Sequence, residues 1–252
     1  MIHAFSRFEL GIGTENIQRL KQKTVAVLGI GGVGSYAVEA LARSAIGRLI
    51  LVDKDKVDIT NINRQIHALH STIGKPKVEV MRDRIKAINS ECEVVPLHLF
   101  YNEHTADEIF SYDPDYIIDA IDTLSSKVHV ILESKKRNIP IISSMGAANK
   151  LDPTQFIVTD ISKTYMDPVA KFVRQQLKKH GIEKGVQVVF SPEKPLIPKK
   201  ELFREVGKEE STIRKEKMPP SSNGFVPPMA GLIAASVVIR HFLELNKKGE
   251  KE

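Results

Sequence analysis

Gly29-Ile30-Gly31-Gly32-Val33-Gly34 lies between an apolar run at 24–28 and an amphipathic stretch at 35–44, and it limits the folds open to this chain. A strand that turns on glycines straight into a helix brings the free N–H groups of the helix to the turn. Glycine also lets the backbone come close to a phosphate. A βα unit of this kind needs neighbours, because its strand is buried on both faces. The chain supplies them: apolar runs at 48–52, 91–100, 115–120 and 140–144 alternate with helical patterns at 76–89, 103–110 and 125–137. That order predicts a doubly wound, mostly parallel, Rossmann-like α/β sheet with ligands at the carboxyl ends of its strands.

The texture changes after Asp152-Pro153. A strand is expected at 155–159, a basic helix at 167–180 and a strand at 186–190. A Pro- and Lys-rich loop is expected at 191–223, followed by an apolar helix at 225–245. Residues 1–151 read as the nucleotide-binding region and 152–252 as a C-terminal part of the same domain. Small residues at Ala230, Gly231, Ala234, Ala235 and Ser236 predict close packing of the last helix, in the core or at a subunit interface.

Composition narrows the setting. A single cysteine, Cys92, excludes an intramolecular disulfide framework and a Cys₄ zinc site, and it points to a reducing compartment. The start Met-Ile-His-Ala-Phe-Ser-Arg has no basic flank followed by an apolar stretch, and the apolar run 229–239 is too short to span a bilayer. A cytoplasmic protein is expected. The net charge of +6 is concentrated: residues 163–217 hold 14 basic and 8 acidic side chains, which accounts for all of it. A neutral body with one basic region suits a protein that docks a polyanion beside a separate chemical site.

Asp53 stands nineteen residues beyond Gly34, at the end of the second expected strand, where a carboxylate can accept hydrogen bonds from ribose hydroxyls. The glycine loop and Asp53 alone say adenine nucleotide, with NAD in the lead. The spacing Gly29-x₄-Gly34 also resembles a P-loop, but Ser35 stands where that loop has lysine, so a triphosphate must find its cations elsewhere. Arg64, in Asn61-Ile62-Asn63-Arg64-Gln65, and Lys77, at the start of the next helix, can supply them. Asp119 and Asp122 end the fourth strand. Asp122 is placed to hold Mg²⁺, and Asp119 to cap or brace the turn.

Arg7, the glycine loop, Asp53-Lys54-Asp55, the 61–65 run, Lys75-Pro76-Lys77 and Asp119-Ala120-Ile121-Asp122 together resemble the ubiquitin-activating-enzyme-like superfamily of carboxylate adenylyltransferases. Residues 63–69, 152–155 and 158–160 are similar to its tRNA threonylcarbamoyladenosine dehydratase branch. The resemblance implies that Gly29, Gly31, Gly32 and Gly34 hold the phosphates of ATP. It places Asp53 at the ribose, with Asp55, Asn61, Asn63 and Gln65 completing the nucleotide site. Arg64 and Lys77 would neutralise the phosphates and Asp122 would carry Mg²⁺. Arg7 would cross a dimer interface to the partner's ATP, which implies a homodimer.

The implied chemistry is attack of a carboxylate on the α-phosphate, followed by ring closure through a carbamoyl nitrogen of a modified adenosine in tRNA, held by the basic segment 163–217. Neither step needs an enzyme thiol. Cys92 falls in an expected strand as a structural thiol, the Cys-x-x-Cys zinc motifs of many relatives are missing, and Ser221-Ser222-Asn223 stands where some dehydratases have a cysteine. His67 and His70, on one short helical face, lack a third metal ligand. Two other functions stay open: adenylation of a ubiquitin-like sulfur carrier, and NAD-dependent oxidoreduction.

Overall fold

The structure, a computed structural model, describes residues 2–197, 199 and 220–245. The core strands are β1 (Thr24–Leu28), β2 (Arg48–Val52), β3 (Glu93–Leu97), β4 (Tyr116–Asp119) and β5 (Ile141–Ser144). Their crossovers are α3 (Gly34–Ala42), α4 (Lys77–Ile88), α5 (Ala106–Phe110) and α6 (Leu124–Lys136), preceded by α1 (Ser6–Ile12) and α2 (Thr14–Lys21). After β5 come β6 (Ile157–Asp160), α7 (Pro168–Lys179), β7 (Gln187–Phe190) and α8 (Val226–Phe242).

Among the described residues the seven strands form one sheet in the order β3-β2-β1-β4-β5-β7-β6. All neighbours pair in parallel except β6 against β7. The sheet grows in one direction from β1 to β3 and in the other from β4 onward, so a crevice opens at the carboxyl ends of β1 and β4. Val25 to Leu28 and Ile117 to Asp119 are buried on both faces, the signature of central parallel strands. Two apolar cores, one on each face, complete the doubly wound fold.

Local chemistry explains where element ends depart from expectation. The helix expected at 103–110 starts only at Ala106, because the side-chain carbonyl of Asn102 accepts from the N–H groups of His104 and Thr105 and holds a turn there. The strand expected at 155–159 starts at Ile157, because Asp152 accepts from Thr154 N–H and caps a 3₁₀ turn over Pro153–Gln155. The strand expected at 91–100 shortens to Glu93–Leu97, and its Pro96 is tolerated because β3 is an edge strand. Helices α1 and α2 are additions to the expected set; α2 buries only Ile17 and Leu20, too few positions to set a clear period. Of the expected loop, residues 198 and 200–219 lie outside the described residues.

Helix α8 packs against α3 within the chain. A Cβ at Gly231 would lie 2.1 Å from the carbonyl oxygen of Val33 and 3.0 Å from the nitrogen of Ala37, so the small-residue stripe brings two backbones together at the start of α3. Pro at the first turn of α8, and Asn223 Oδ1 accepting from the N–H groups of Phe225 and Val226, begin the helix.

His67 and His70 do not share a helical face. His67 sits buried in a turn and His70 is exposed at the start of the 3₁₀ turn His70–Thr72. Among the described residues, neither ring nitrogen of His67 has a hydrogen-bond partner. Burial first, then the nearby Lys77 and Arg84 charges, push its pKa down to about 4.

Gly231→Ala should destabilise the protein by about 1–3 kcal/mol or more, since neither backbone can yield; the midpoint of denaturant unfolding measures it. Below the ordinary histidine range the unfolded chain binds a proton at His67 that the folded chain does not, so stability should fall as pH drops from about 6.5 toward 4. The loss is on the order of 3 kcal/mol. His67→Phe should flatten that part of the stability profile.

Candidate active site

A cleft of about 680 Å³ opens at the carboxyl ends of β1 and β4, a size suited to a nucleotide and part of a second substrate. Gly29, Gly31, Gly32, Asp53, Asp55, Asn61, Arg64, Gln65, Lys77 and Asp122 line it, so ten of the residues singled out in the sequence meet in one place. Gly34, Asn63 and Arg7 do not line it.

The glycines divide into two kinds. Gly29 has a positive φ of 89°, and a Cβ there would lie 2.6 Å from the carbonyl oxygen of Ala120. A Cβ at Gly34 would lie 1.8 Å from the carbonyl oxygen of Gly29. That contact seats α3 against its own turn, and Gly34 does not line the cleft. Gly31 is open toward the cleft, with the side-chain nitrogen of Gln65 at 3.9 Å as its nearest neighbour.

Asp53 is the clamp of this turn. Its carboxylate accepts from Ile30 N–H at 2.6 Å and from Asp55 N–H at 2.8 Å, tying the glycine loop to the chain leaving β2. Burial raises its pKa, opposed by the Lys77 charge. Each oxygen can accept again, which leaves capacity for ribose hydroxyls. Asp55 holds Lys77 twice: its carbonyl accepts from the Lys77 N–H at 3.0 Å and its Oδ2 from the ammonium at 3.0 Å. Lys77, with only 5% of its surface exposed, thus starts α4 with its charge already positioned.

Arg64 donates to the carbonyl of Thr60 at 2.8 Å and to Asn63 Oδ1 at 2.9 Å, with its stem against Gly32. Asn63 is exposed and donates to the carbonyl of Ser222 at 3.0 Å, so it braces Arg64 and the C-terminal segment from outside the cleft. Asn61 is buried and its Oδ1 accepts from Asp58 N–H at 3.1 Å. Gln65 is buried, and its Oε1, itself shielded from solvent, has no hydrogen-bond partner among the described residues.

Asp119 and Asp122 have separate tasks. Asp119 is fully buried: Oδ1 accepts from Ile121 N–H at 3.0 Å, and Oδ2 accepts from the Lys127 ammonium at 2.8 Å and from the Ser143 hydroxyl. It braces the turn that carries Asp122 and caps no helix. Asp122 is exposed to the cleft and, among the described residues, has only a long hydrogen bond of 3.4 Å from the Thr123 hydroxyl.

Sequence reasoning missed two buried ion pairs of the cleft floor and wall, Lys127 with Asp119 and Lys150 with Asp167. Lys127 interrupts the apolar pattern of α6, which is the one signal it left in the sequence. Arg7 is exposed on α1, and α1 and α2 pack where the chain enters the sheet.

On one side the cleft offers a glycine turn, the held cations Lys77 and Arg64, and the exposed carboxylate of Asp122. Those groups can bind a polyphosphate and bear the charge that develops on it. Among the described residues no helix is long and apolar enough to cross a membrane.

Three relatives bear on this arrangement. The chain is 59% identical to the tRNA threonylcarbamoyladenosine dehydratase of Bacillus subtilis, over 97% of this chain and 96% of that one. The structure of the Escherichia coli tRNA N6-threonylcarbamoyladenosine dehydratase in complex with ATP superposes with a TM-score of 0.85 at 35% identity, covering 95% of this chain and 93% of that one. A molybdopterin-synthase adenylyltransferase from Salmonella typhimurium is 30% identical over 56% of each chain. The model of the ThiF family matches residues 6–251, and the chain belongs to that family.

Proposed function

We propose that this chain is an ATP-dependent enzyme that adenylates the carboxylate of threonylcarbamoyladenosine in tRNA and closes it to the dehydrated ring. The observation that carries it is the meeting of Lys77, Arg64 and Asp122 around an open glycine turn. An NAD pyrophosphate does not need two preset cations and a free carboxylate; a triphosphate about to be cleaved does.

The carboxylate oxygen attacks the α-phosphorus, the bond between the α-phosphorus and the bridging oxygen breaks, and pyrophosphate leaves. A carbamoyl nitrogen then attacks the activated carbonyl carbon, AMP departs with the bonding electrons, and the nitrogen loses its proton. The sum is loss of one water from the nucleoside. Gly31 and its neighbours admit the phosphates, Asp53 accepts from the ribose, and Lys77 and Arg64 bear the charge of the leaving pyrophosphate. Asp122, a single exposed carboxylate, suits a Mg²⁺ held mainly by nucleotide phosphates, which would add charge neutralisation there.

No thiol is needed, and none is offered: Cys92 is fully buried and burial pushes its thiol up to about 11. Ser221-Ser222-Asn223 is spent on Asn149, Asn63 and the start of α8. These facts favour the tRNA substrate over thioester or persulfide chemistry on a sulfur carrier. Arg7 can serve a nucleotide only in a second copy, so we assign it to a homodimer. Residues 1–151 carry the nucleotide chemistry, and the basic segment 163–217 carries the tRNA backbone. Lys171, Lys178, Lys179 and Lys184 are exposed on and after α7, whose N-terminus lines the cleft. Lys178 and Lys179 lie about 16 Å along that helix, within reach of one stem-loop. The cytoplasm, with ATP, tRNA and a reducing milieu, is where we place the reaction.

Incubation of tRNA bearing the open-chain nucleoside with protein and ATP, followed by mass analysis of nucleosides, should show loss of one water and stoichiometric AMP. A sulfur-carrier C-terminus should not substitute. Asp122→Ala should abolish pyrophosphate release with the melting temperature unchanged, and Arg64→Ala and Lys77→Ala should each slow it ~10²-fold or more. Replacing Lys178, Lys179, Lys199 and Lys200 by Ala should weaken tRNA binding and reduce its salt dependence, by roughly 0.7–0.9 in log–log slope for each phosphate no longer neutralised. ATP affinity should stay as it was.

A further inference from the structure

The nucleotide groups line one side of the cleft, and the loop that follows β5 lines the other. That loop closes on its own lysine. The Lys150 ammonium donates to the carbonyl of Gly146 at 2.8 Å, donates to the carbonyl of Ser191 at 2.8 Å, and lies 3.3 Å from Asp167 Oδ2. The two side chains are 1% and 0% exposed. Asp167 in turn accepts from Gly146 N–H at 3.1 Å through Oδ2 and caps α7 by accepting from Ala170 N–H at 2.9 Å through Oδ1. One ammonium therefore joins the cleft wall, the first turn of α7 and the chain leaving β7.

All three donors of the ammonium are used within the protein, so it has none for a substrate. Its effect reaches the cleft through the wall. A Cβ at Gly146 would lie 3.0 Å from Asp167 Oδ2, so the wall is drawn down onto the buried carboxylate. The adjacent residue, Asn149, has a positive φ of 58° and grips two other segments: Leu196 N–H donates to its carbonyl at 2.7 Å, and Ser221 N–H donates to its Oδ1 at 2.7 Å. Desolvation makes such a buried pair a weak source of net stability, whereas removing one partner is strongly destabilising.

We propose that Lys150 is a positioning residue that presets the acceptor wall of the cleft, so that the incoming carboxylate is aligned with the α-phosphate while ATP binding is left to the opposite side. This rests on the adenylation function proposed above. The role predicts a split. Lys150→Met should leave ATP affinity within about twofold of wild type and lower kcat/KM for tRNA by ~10²-fold, the cost of a misplacement of about 1 Å. It should also speed amide exchange across residues 146–150.

Lys150→Met leaves Asp167 buried and unpaired, so Lys150→Met/Asp167→Asn, which removes both charges and keeps the cap acceptor, is measured beside it. Lys150→Ala with ethylammonium added should regain part of the lost kcat/KM, because the amine refills the ammonium position. A folded double variant with wild-type kcat/KM would overturn the proposal, as would a loss of ATP affinity parallel to the loss of acceptor efficiency. If wild-type protein released no pyrophosphate with tRNA, the adenylation function would fail. Lys150 would then be judged by exchange alone: faster exchange at 146–150 supports the tether, and unchanged exchange refutes it.

Discussion

The start of α3 can sit against the end of β1 only because two glycines let main chain touch main chain. Gly34 has no room for a single carbon beside the carbonyl of Gly29, and Gly29 has none beside Ala120. From that contact follow the direction of α3, the openness of Gly31 to the cleft and the site where α8 docks, since Gly231 meets the same turn from the other side through Val33. The turn is then locked by the buried Ile30 side chain and by a charge: Asp53 accepts from the Ile30 and Asp55 N–H groups, and Asp55 holds Lys77. The glycine turn of this chain is thus built by steric permission first and by electrostatics second.

The remaining sides of the cleft use a different device. Lys127 with Asp119 and Lys150 with Asp167 are fully buried ion pairs whose spare donors and acceptors are met by hydroxyls and main chain. Breaking such a pair costs about 3–5 kcal/mol, while replacing it whole by apolar groups is often neutral, so these pairs add little net stability. Each holds a loop that leaves the carboxyl end of a central strand. Asp122, by contrast, is exposed at the cleft and has no cation partner among the described residues.

Several residues of the candidate site were legible before any fold was known, and some roles were not. Arg64 and Lys77 could be paired from sequence because each sits in a short run with a clear place in the βα order. Asp53 was placed correctly at the end of β2, yet its two backbone partners come from residues on separate turns, and no spacing rule reveals them. The close approach of Gly34 to the carbonyl of Gly29 is not legible in the motif, which does not distinguish a glycine needed for approach to a ligand from one needed for approach to the chain itself. Asn63, adjacent to Arg64, turns outward to Ser222, 159 residues away.

The alternation of strands and helices, the glycine turn and the acidic strand ends are local patterns, so the sequence by itself determined the α/β class, the five core strands and the position of a cleft at their carboxyl ends. Periodicity and backbone permission act over a few residues and survive without knowledge of the partner. The antiparallel edge made by β6, the packing of α8 on α3, the burial of His67 and the two lysine–aspartate pairs were decided only in three dimensions. Each depends on which segments meet across the sheet, and a buried charge in particular is worth its desolvation only when a partner from elsewhere in the chain arrives beside it.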